Sequence, residues 1–152
     1  MYLEDSLHLP LPRQTVWEGL NNPTVLKACI HGCETLEWQS ADQLRVTVAI
    51  KLAIARVRFN GTITLQDVVA GESYTLQAQG SGITGFATGY AKVKLLDEGA
   101  GTRLEFQAGA KAGGALEKLG HEWIEKAGKK LVSRFFERFC EQVTLHLIQP
   151  GS

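Results

Sequence analysis

The sequence lacks the charge excess and the long apolar run that mark two large classes of protein. Its 16 lysines and arginines balance 16 acidic residues, so the formal net charge is zero. A protein built to bind nucleic acid carries a basic excess, and the balance argues against that role. No stretch approaches the ~18 consecutive apolar residues of a membrane span. Glu4 and Asp5 stand where a secretory signal has basic residues, so we expect a cytoplasmic protein.

Cysteine and histidine are also scarce, with three and four residues. An odd number of cysteines does not indicate a disulfide framework and fits a reducing compartment. Cys29, His31 and Cys33 form C-x-H-x-C, but a zinc site needs another ligand and the usual spacings are missing. We interpret the cysteines as small buried residues, with a redox-sensing pair as the alternative. No histidine lies in a known catalytic pattern, and we expect no metal, no cofactor and no catalytic residue.

The remaining composition is that of one ordinary globular domain. Apolar residues make up 44% and charged residues 21% of the 152 positions. A chain of this length buries roughly 70% of the surface that it exposes when unfolded, so it needs no metal or disulfide to hold a core. We expect a single domain over residues 1–148, with a C-terminal tail at 149–152 of the kind that cloning leaves behind.

The hydrophobic periodicity changes along the chain. A strand at residues 2–9 ends before Pro10, and two short helices follow, one reaching Leu20 and one beginning at the Asn22-Pro23 cap. From residue 34 to 111 apolar residues alternate with polar ones, which predicts an antiparallel meander of strands. The parity of that alternation changes between residues 53 and 57, which requires a turn or a bulge there.

A long amphipathic helix follows the Gly113-Gly114 break. Apolar residues recur at steps of three and four along it, from Leu116 and Leu119 through Trp123 to Val143. A curved antiparallel sheet has one face to bury, and this helix is the only element large enough to cover it. The sequence therefore predicts an α+β helix-grip fold, in which a curved antiparallel sheet wraps around a long C-terminal helix, with two short helices after the first strand.

Charge is unevenly distributed along the chain. Residues 1–43 contain six acidic and two basic residues, whereas residues 44–94 contain six basic and two acidic ones. Such charges usually lie on the solvated outer faces of strands. The alternative is a patch that meets an acidic partner or anionic lipid head groups. The candidate residues for this basic patch are Arg45, Lys51, Arg56 and Arg58.

Residues 80–85, Gly-Ser-Gly-Ile-Thr-Gly, satisfy the pattern G-x-G-x-x-G. In a dinucleotide site this pattern opens a helix whose N-terminus holds the pyrophosphate. Here the following residues alternate as a strand, so we do not expect dinucleotide binding. We interpret the segment as a glycine-rich strand edge, with a mobile loop at a cavity mouth, tipped by Phe86, as the functional alternative.

A set of motifs runs through nearly the whole chain in a fixed order: Val16-Trp17, Asn22-Pro23, Gly32-Cys33-Glu34, Arg58-Phe59-Asn60-Gly61, residues 85–93, Gly101-Thr102-Arg103-Leu104 and residues 135–139. In these motifs the sequence resembles the CoxG-like family of carbon monoxide dehydrogenase subunits, within the START-like helix-grip (SRPBCC) superfamily. Two positions depart from the family pattern. His31 stands where the family usually has proline, and Asn22 stands where aspartate is common, although asparagine caps a helix equally well.

The resemblance implies a non-catalytic accessory role for a carbon monoxide dehydrogenase-type molybdenum hydroxylase. Because such enzymes pass electrons to the respiratory chain, it also implies a quinone, isoprenoid or other lipid-like ligand and peripheral association with the inner membrane. We expect the ligand to lie between the sheet and the helix. The candidate lining residues are Val48, Ile50, Phe59, Ile63, Leu76, Phe86, Val93, Phe106, Trp123, Ala127 and Leu131.

Two alternatives remain open at the level of the sequence. An assembly or interaction factor with a filled core would dock a partner enzyme through its charged surface instead of holding a ligand. A helix-grip cyclase or hydrolase would need an acid–base pair, and the sequence offers no clear one.

Overall fold

A computed structural model describes residues 2–52 and 55–148. The elements, in chain order, are β1 (Tyr2–Leu9), α1 (Arg13–Leu20), α2 (Pro23–Cys29), β2 (Cys33–Trp38), β3 (Gln43–Leu52), β4 (Ala55–Val69), β5 (Ser73–Gly82), β6 (Gly85–Glu98), β7 (Gly101–Gly113), a 3-10 helix (Gly114–Leu119) and α3 (His121–Ile148). This order confirms the predicted first strand, the two short helices, the meander and the long terminal helix.

The strands form one antiparallel sheet in the order β1-β7-β6-β5-β4-β3-β2. Consecutive strands from β2 to β7 are neighbours, and β1 pairs along the free side of β7, with Leu7 opposite Leu104. The predicted parity change between residues 53 and 57 falls partly on Ala53 and Ile54, which lie outside the described residues. On either side of that gap, β3 and β4 pair with Leu52 opposite Ala55.

Local sequence explains the two short helices. Pro12 precedes α1, and the side chain of Asn22 caps α2 by accepting hydrogen bonds from the backbone N–H of Thr24 (3.0 Å) and Val25 (3.5 Å). Pro23 occupies the first turn, where its missing N–H is not needed. Gly32 follows α2 with a φ of 81°, a left-handed conformation that favours glycine.

The long helix begins later than its hydrophobic pattern predicts. Leu116 and Leu119 were expected on its apolar face, but they belong to the separate 3-10 helix, and α3 begins at His121. The break is at Gly120, whose φ of 93° is not compatible with a right-handed helix. The apolar spacing continues through this break, which is why periodicity alone did not reveal it.

The sheet has one apolar and one polar face. On β6 the buried residues are Val93 and Leu95, whereas Lys92 and Lys94 are exposed, so odd positions of this strand point towards the helices. We call the face that meets the helices the inner face and the opposite one the outer face. The buried core lies on the inner face against α1, α2 and the second half of α3 and includes Leu9, Val16, Leu20, Val25, Leu104 and Phe139.

Candidate ligand cleft

Side-chain size falls from one end of the inner face to the other. At one end, large residues stand opposite each other, with Leu7 facing Leu104 and Leu104 facing Leu95. Two rows towards the other end contain little side-chain volume. One row is Leu44, Ile63, Ala78, Gly89 and Ala110, and the next is Val46, Gly61, Gly80, Ala87 and Ala112. The side chains on this part of the inner face are therefore smaller, on β5 to β7 above all, than those at the other end.

The helix α3 is anchored at the well-filled end. Phe106 of β7 stacks on Phe136 of α3 with ring centroids 5.4 Å apart. Phe135 contacts both Phe136 and Phe139, at centroid distances of 5.1 and 5.8 Å. The α3 residues that belong to the core or pack against it are Val132, Phe135, Phe136, Phe139, Cys140 and Val143. All of them lie in the second part of the helix.

The first part of α3 leaves its apolar side chains accessible. Trp123 is 41% exposed and Leu131 is 46% exposed. Leu131 and Ala127 lie one and two turns before Phe135, and each step of four residues moves the position about 40° around the helix axis, away from the face that packs on the core. We call the space between residues 121–131 and the rows of small residues the cleft. Its sheet side carries small or half-buried apolar residues, and on its helix side Trp123 and Leu131 are exposed.

Apart from Phe86, the predicted lining residues lie on the inner face of the sheet or on the first part of α3. Half-buried residues on the inner face of the sheet are Val48, Ile50, Phe59, Ile63 and Leu76. Val93 and Phe106 are also on the inner face, but they are buried in the core at the filled end. Trp123, Ala127 and Leu131 lie on the first part of α3, and Trp123 and Leu131 are exposed.

Phe86 lies elsewhere. It occupies an even position of β6, on the outer face with Lys92 and Lys94, and is 54% exposed. Its ring covers the bare backbone of Gly113, its cross-strand partner, since a Cβ on that glycine would collide with the ring. The same arrangement places the ring of Tyr90 over Gly109. Phe86 therefore lies away from the cleft, and the prediction that it lines the ligand site is corrected.

Sequence reasoning missed the group of small residues to which Gly61, Gly80 and Gly89 belong. Each is an unremarkable glycine when one strand is considered alone, and only the register of β4, β5 and β6 brings the three close together. The motif at residues 80–85 proves to be a strand–turn–strand, with Ile83 and Thr84 as the turn between β5 and β6. No helix begins at this motif, so it lacks the structural context of a dinucleotide site.

The four residues of the basic patch lie on the outer face of β3 and β4, and two of them have acidic partners. Arg45 forms an ion pair with Glu37. Arg58 donates two hydrogen bonds to Glu34, from Nε to Oε1 at 2.6 Å and from Nη2 to Oε2 at 3.0 Å. This guanidinium lowers the pKa of the Glu34 carboxyl group. Lys51 and Arg56 stand directly opposite each other at the end of the hairpin.

A second depression, of about 620 Å³, lies on the outer face across β1, β7, β6 and β5. Both signs of charge line it, and Arg103 donates to Ser6 Oγ at 3.1 Å and lies 3.5 Å from Glu105. Lys92 and Lys94 also line it, and within residues 2–52 and 55–148 neither makes an ion pair. Charged side chains of both signs therefore share this groove with apolar residues such as Tyr74 and Phe106.

The titratable groups of the core are held neutral. Burial raises the pKa of the Cys29 thiol to about 11, and it also raises the pKa of the Tyr74 hydroxyl. Cys29, Cys33 and Cys140 are free thiols. Among the residues that the structure describes, no cluster of three or more histidine, cysteine or acidic side chains could hold a metal ion.

The sheet, the two short helices and the long helix together define a START-like helix-grip protein. Solved structures with this fold superpose over nearly the whole chain. A conserved protein from Geobacillus kaustophilus has a TM-score of 0.89 at 24% identity, over 96% of this chain and 97% of that one. The Zhui aromatase/cyclase from a Streptomyces species has a TM-score of 0.68 at 12% identity, covering 100% and 98% of the two chains. Ara h 8.0201 has a TM-score of 0.69 at 10% identity, covering 95% and 97%.

Within this fold, the family is also defined. The model of the CoxG family of carbon monoxide dehydrogenase subunits matches residues 6–144, and the chain belongs to that family. No curated protein matches the chain. In the described part of the chain, no helix combines the length and the hydropathy needed to cross a membrane.

Proposed function

We propose that this protein is a non-catalytic accessory protein of a carbon monoxide dehydrogenase-type molybdenum hydroxylase, and that it holds an apolar ligand of the quinone or isoprenoid class in the cleft. The observation that supports the proposal is the combination of small residues on the inner face of the sheet with exposed apolar side chains on the first part of α3. Rows of glycine and alanine form one wall, and Trp123, Ala127 and Leu131 form the other. A long, flat ligand would bury both walls.

The physical driving force is removal of apolar surface from water. Each Å² of such surface contributes about 25 cal/mol when buried. Large exposed apolar surfaces on a monomer are characteristic of ligand-binding grooves and interfaces. The glycines allow a planar ring to approach the backbone of the sheet closely, and the indole of Trp123 offers a face for ring stacking. Membership in the CoxG family supports the partnership with the molybdenum enzyme.

The first experiment is native mass spectrometry of the purified protein together with lipid extraction of the same sample. We expect a bound apolar species, or uptake of added decyl-ubiquinone at one molecule per chain. If the wild-type protein neither carries an apolar species nor takes up the quinone, the ligand proposal is wrong.

A matched pair of variants locates the ligand. Ala127→Trp places a large ring in the cleft, and we expect it to abolish quinone uptake. Ser133→Trp adds the same ring at an exposed position outside the apolar face of α3 and should leave uptake unchanged. If both variants bind quinone as the wild type does, the ligand does not lie in the cleft.

A second candidate function is docking of the partner enzyme on the outer face, without a ligand. The observation in its favour is the polar groove of about 620 Å³ that contains Lys92 and Lys94. Capture of the molybdenum enzyme by the immobilised protein tests it. Loss of capture in Lys92→Glu/Lys94→Glu, but not in Arg56→Glu/Arg58→Glu, assigns docking to the groove, and the reverse result assigns it to the basic patch.

A further inference from the structure

The exposed side of α3 carries charges that are sorted by sign along the helix. Lys126, Lys130 and Arg134 follow one another at steps of four residues, and Glu137 and Glu141 continue the same line towards the C-terminus. At 3.6 residues per turn, these five positions lie within about 80° of one another around the helix axis. All five residues are exposed. We call this line of side chains the charged ridge.

The charged ridge faces away from the core. Phe139 and Val143 of the same helix are buried, with 0% and 3% of their surface exposed. At 3.6 residues per turn, the direction midway between these two residues lies about 160° around the helix axis from the middle of the ridge. The packing of α3 on the sheet and on the short helices therefore leaves the charged ridge on the outside of the molecule.

The order of the charges is unfavourable for a helix on its own. Lys130 has a positive residue four positions before it and another four positions after it, and Glu141 follows Glu137 at the same step. Like charges four residues apart destabilise a helix, whereas opposite charges at that step stabilise it. Among the residues that the structure describes, none on the charged ridge makes an ion pair within 4.0 Å. The stability of the single chain does not explain this arrangement.

We propose that the charged ridge binds the charged ridge of a second copy of this chain, with the two α3 helices antiparallel. When Arg134 stands opposite Glu137 of the second copy, Lys130 stands opposite Glu141 of that copy, because both pairs are centred on the point between residues 135 and 136. Two-fold symmetry repeats both pairs, so four ion pairs form. The sorted charges that destabilise one helix are complementary between two copies.

The same register accounts for an exposed leucine near the end of the helix. Leu145 lies one turn after Glu141 and is 47% exposed. In the antiparallel pair it stands opposite Lys126 of the second copy, since these two residues are centred on the same point as the ion pairs. The aliphatic stem of a lysine covers apolar surface while its ammonium group stays in water. Each end of the contact therefore gains an apolar component.

The size of the contact predicts a weak, reversible dimer. Residues 126–145 span about 28 Å of helix, and a strip of that length and about 10 Å in width covers about 300 Å² on each copy. A stable interface buries about 800 Å² on each partner. Because the charged ridge faces away from the core, pairing leaves the inner face of the sheet as it is in the single chain. Self-association and uptake of a ligand can therefore succeed or fail separately.

Sedimentation equilibrium of the full chain tests the proposal. We expect the wild type to dimerise reversibly at concentrations up to about 1 mM at low ionic strength and to dissociate in about 0.5 M salt. Lys130→Glu/Arg134→Glu makes the centre of the ridge entirely negative, and Glu137→Lys/Glu141→Lys makes it entirely positive. Each variant alone should lose at least about tenfold in its association constant, because like charges then face each other. An equimolar mixture of the two should associate again, since the opposite charges are restored across the contact.

A matched control changes the same number of charges elsewhere. Lys92→Glu/Lys94→Glu reverses two exposed lysines on the outer face of the sheet and should dimerise as the wild type does. Circular dichroism melting checks that every variant folds. A wild type that stays monomeric at low salt overturns the proposal, whether or not the ridge binds another protein. It is also wrong if Lys130→Glu/Arg134→Glu dimerises as well as the control, or if the mixture of the two ridge variants does not associate.

Discussion

Gly19 of α1 lies directly against Val143 of α3. A Cβ placed on Gly19 would come within 2.7 Å of Val143 Cγ2, a distance that real Cβ atoms do not tolerate, and within 3.1 Å of the ring of Phe139. The absence of a side chain at Gly19 lets α1 pack closely against the second half of the long helix. We call this Gly19–Val143 contact the anchor.

The anchor predicts the effect of adding one methyl group. We expect Gly19→Ala to lower the free energy of unfolding by about 1–3 kcal/mol through overpacking, even though alanine is the better helix former. Urea denaturation measures this change in the free energy of unfolding. Gly80→Ala is the matched control, since its methyl would meet only ordinary contacts, the nearest at 3.5 Å. A Gly19→Ala protein as stable as the control would mean that α1 and α3 separate at little cost.

A buried hydroxyl ties β7 to the segment before α1. Thr102 is fully buried, and its Oγ1 donates to the carbonyl of Leu11 at 2.7 Å. Thr102→Val keeps the shape but leaves that carbonyl unpaired, which should cost about 1–3 kcal/mol. Thr88→Val, at an exposed position of β6, should change stability by less than about 0.5 kcal/mol. Similar losses in both variants, measured by denaturation, would contradict this account.

The ion pair of Glu34 and Arg58 predicts a response to pH. Arg58 lowers the pKa of the Glu34 carboxyl in the folded state. A lowered folded pKa contributes stability that is present above the unfolded pKa and is lost as pH falls through the folded pKa. Arg58→Gln should therefore raise the pKa of Glu34 in an NMR titration and flatten the loss of stability in acid. Arg45→Gln, whose partner is Glu37, should leave Glu34 unchanged. An unmoved Glu34 titration in Arg58→Gln would show that the pair does not persist in solution.

Cys33 and Cys29 should react with a thiol reagent in a fixed order. Burial raises the pKa of Cys29 to about 11, and this residue is 1% exposed, whereas Cys33 is partly accessible. At pH 8 we expect iodoacetamide to modify Cys33 before Cys29. Peptide mass spectrometry measures the extent of modification at each residue. In denaturant the two should react at the same rate.

The raised pKa of Cys29 also makes the free energy of unfolding fall at alkaline pH. A raised folded pKa contributes stability that is complete below the unfolded pKa and is lost as pH rises through the folded value, here towards about 11. Cys29→Ala should reduce this alkaline loss. In the labelling experiment, faster modification of Cys29 than of Cys33 in the native protein would indicate that α2 opens readily.

The fold was predictable because its signals are local. Alternation along β3 and the cap at Asn22 each concern neighbouring residues, and both predictions were confirmed. The start of α3 was not predicted correctly because Leu116 and Leu119 continue the helical spacing across Gly120. The φ of 93° at that glycine depends on how the chain leaves β7, which no periodicity reports.

The candidate site was predictable only in part. The placement of Phe86 could have been inferred, since Val93 and Leu95 on the same strand define the inner parity and position 86 has the opposite one. The group of small residues on the inner face could not have been inferred, because Gly61, Gly80 and Gly89 come close together only through pairing between strands. The sequence identifies the residues of each strand, but the register between strands decides which of them are neighbours on one face of the sheet.

Because only the second part of α3 packs on the core, the two parts of this continuous helix should differ in local stability. Residues from Val132 onward pack on the core, whereas Trp123 and Leu131 in the first part of the helix are exposed. Amide hydrogen exchange should therefore slow along this single helix, from its first turns to its last. Binding of a ligand against the first turns should slow exchange there and leave the last turns unchanged.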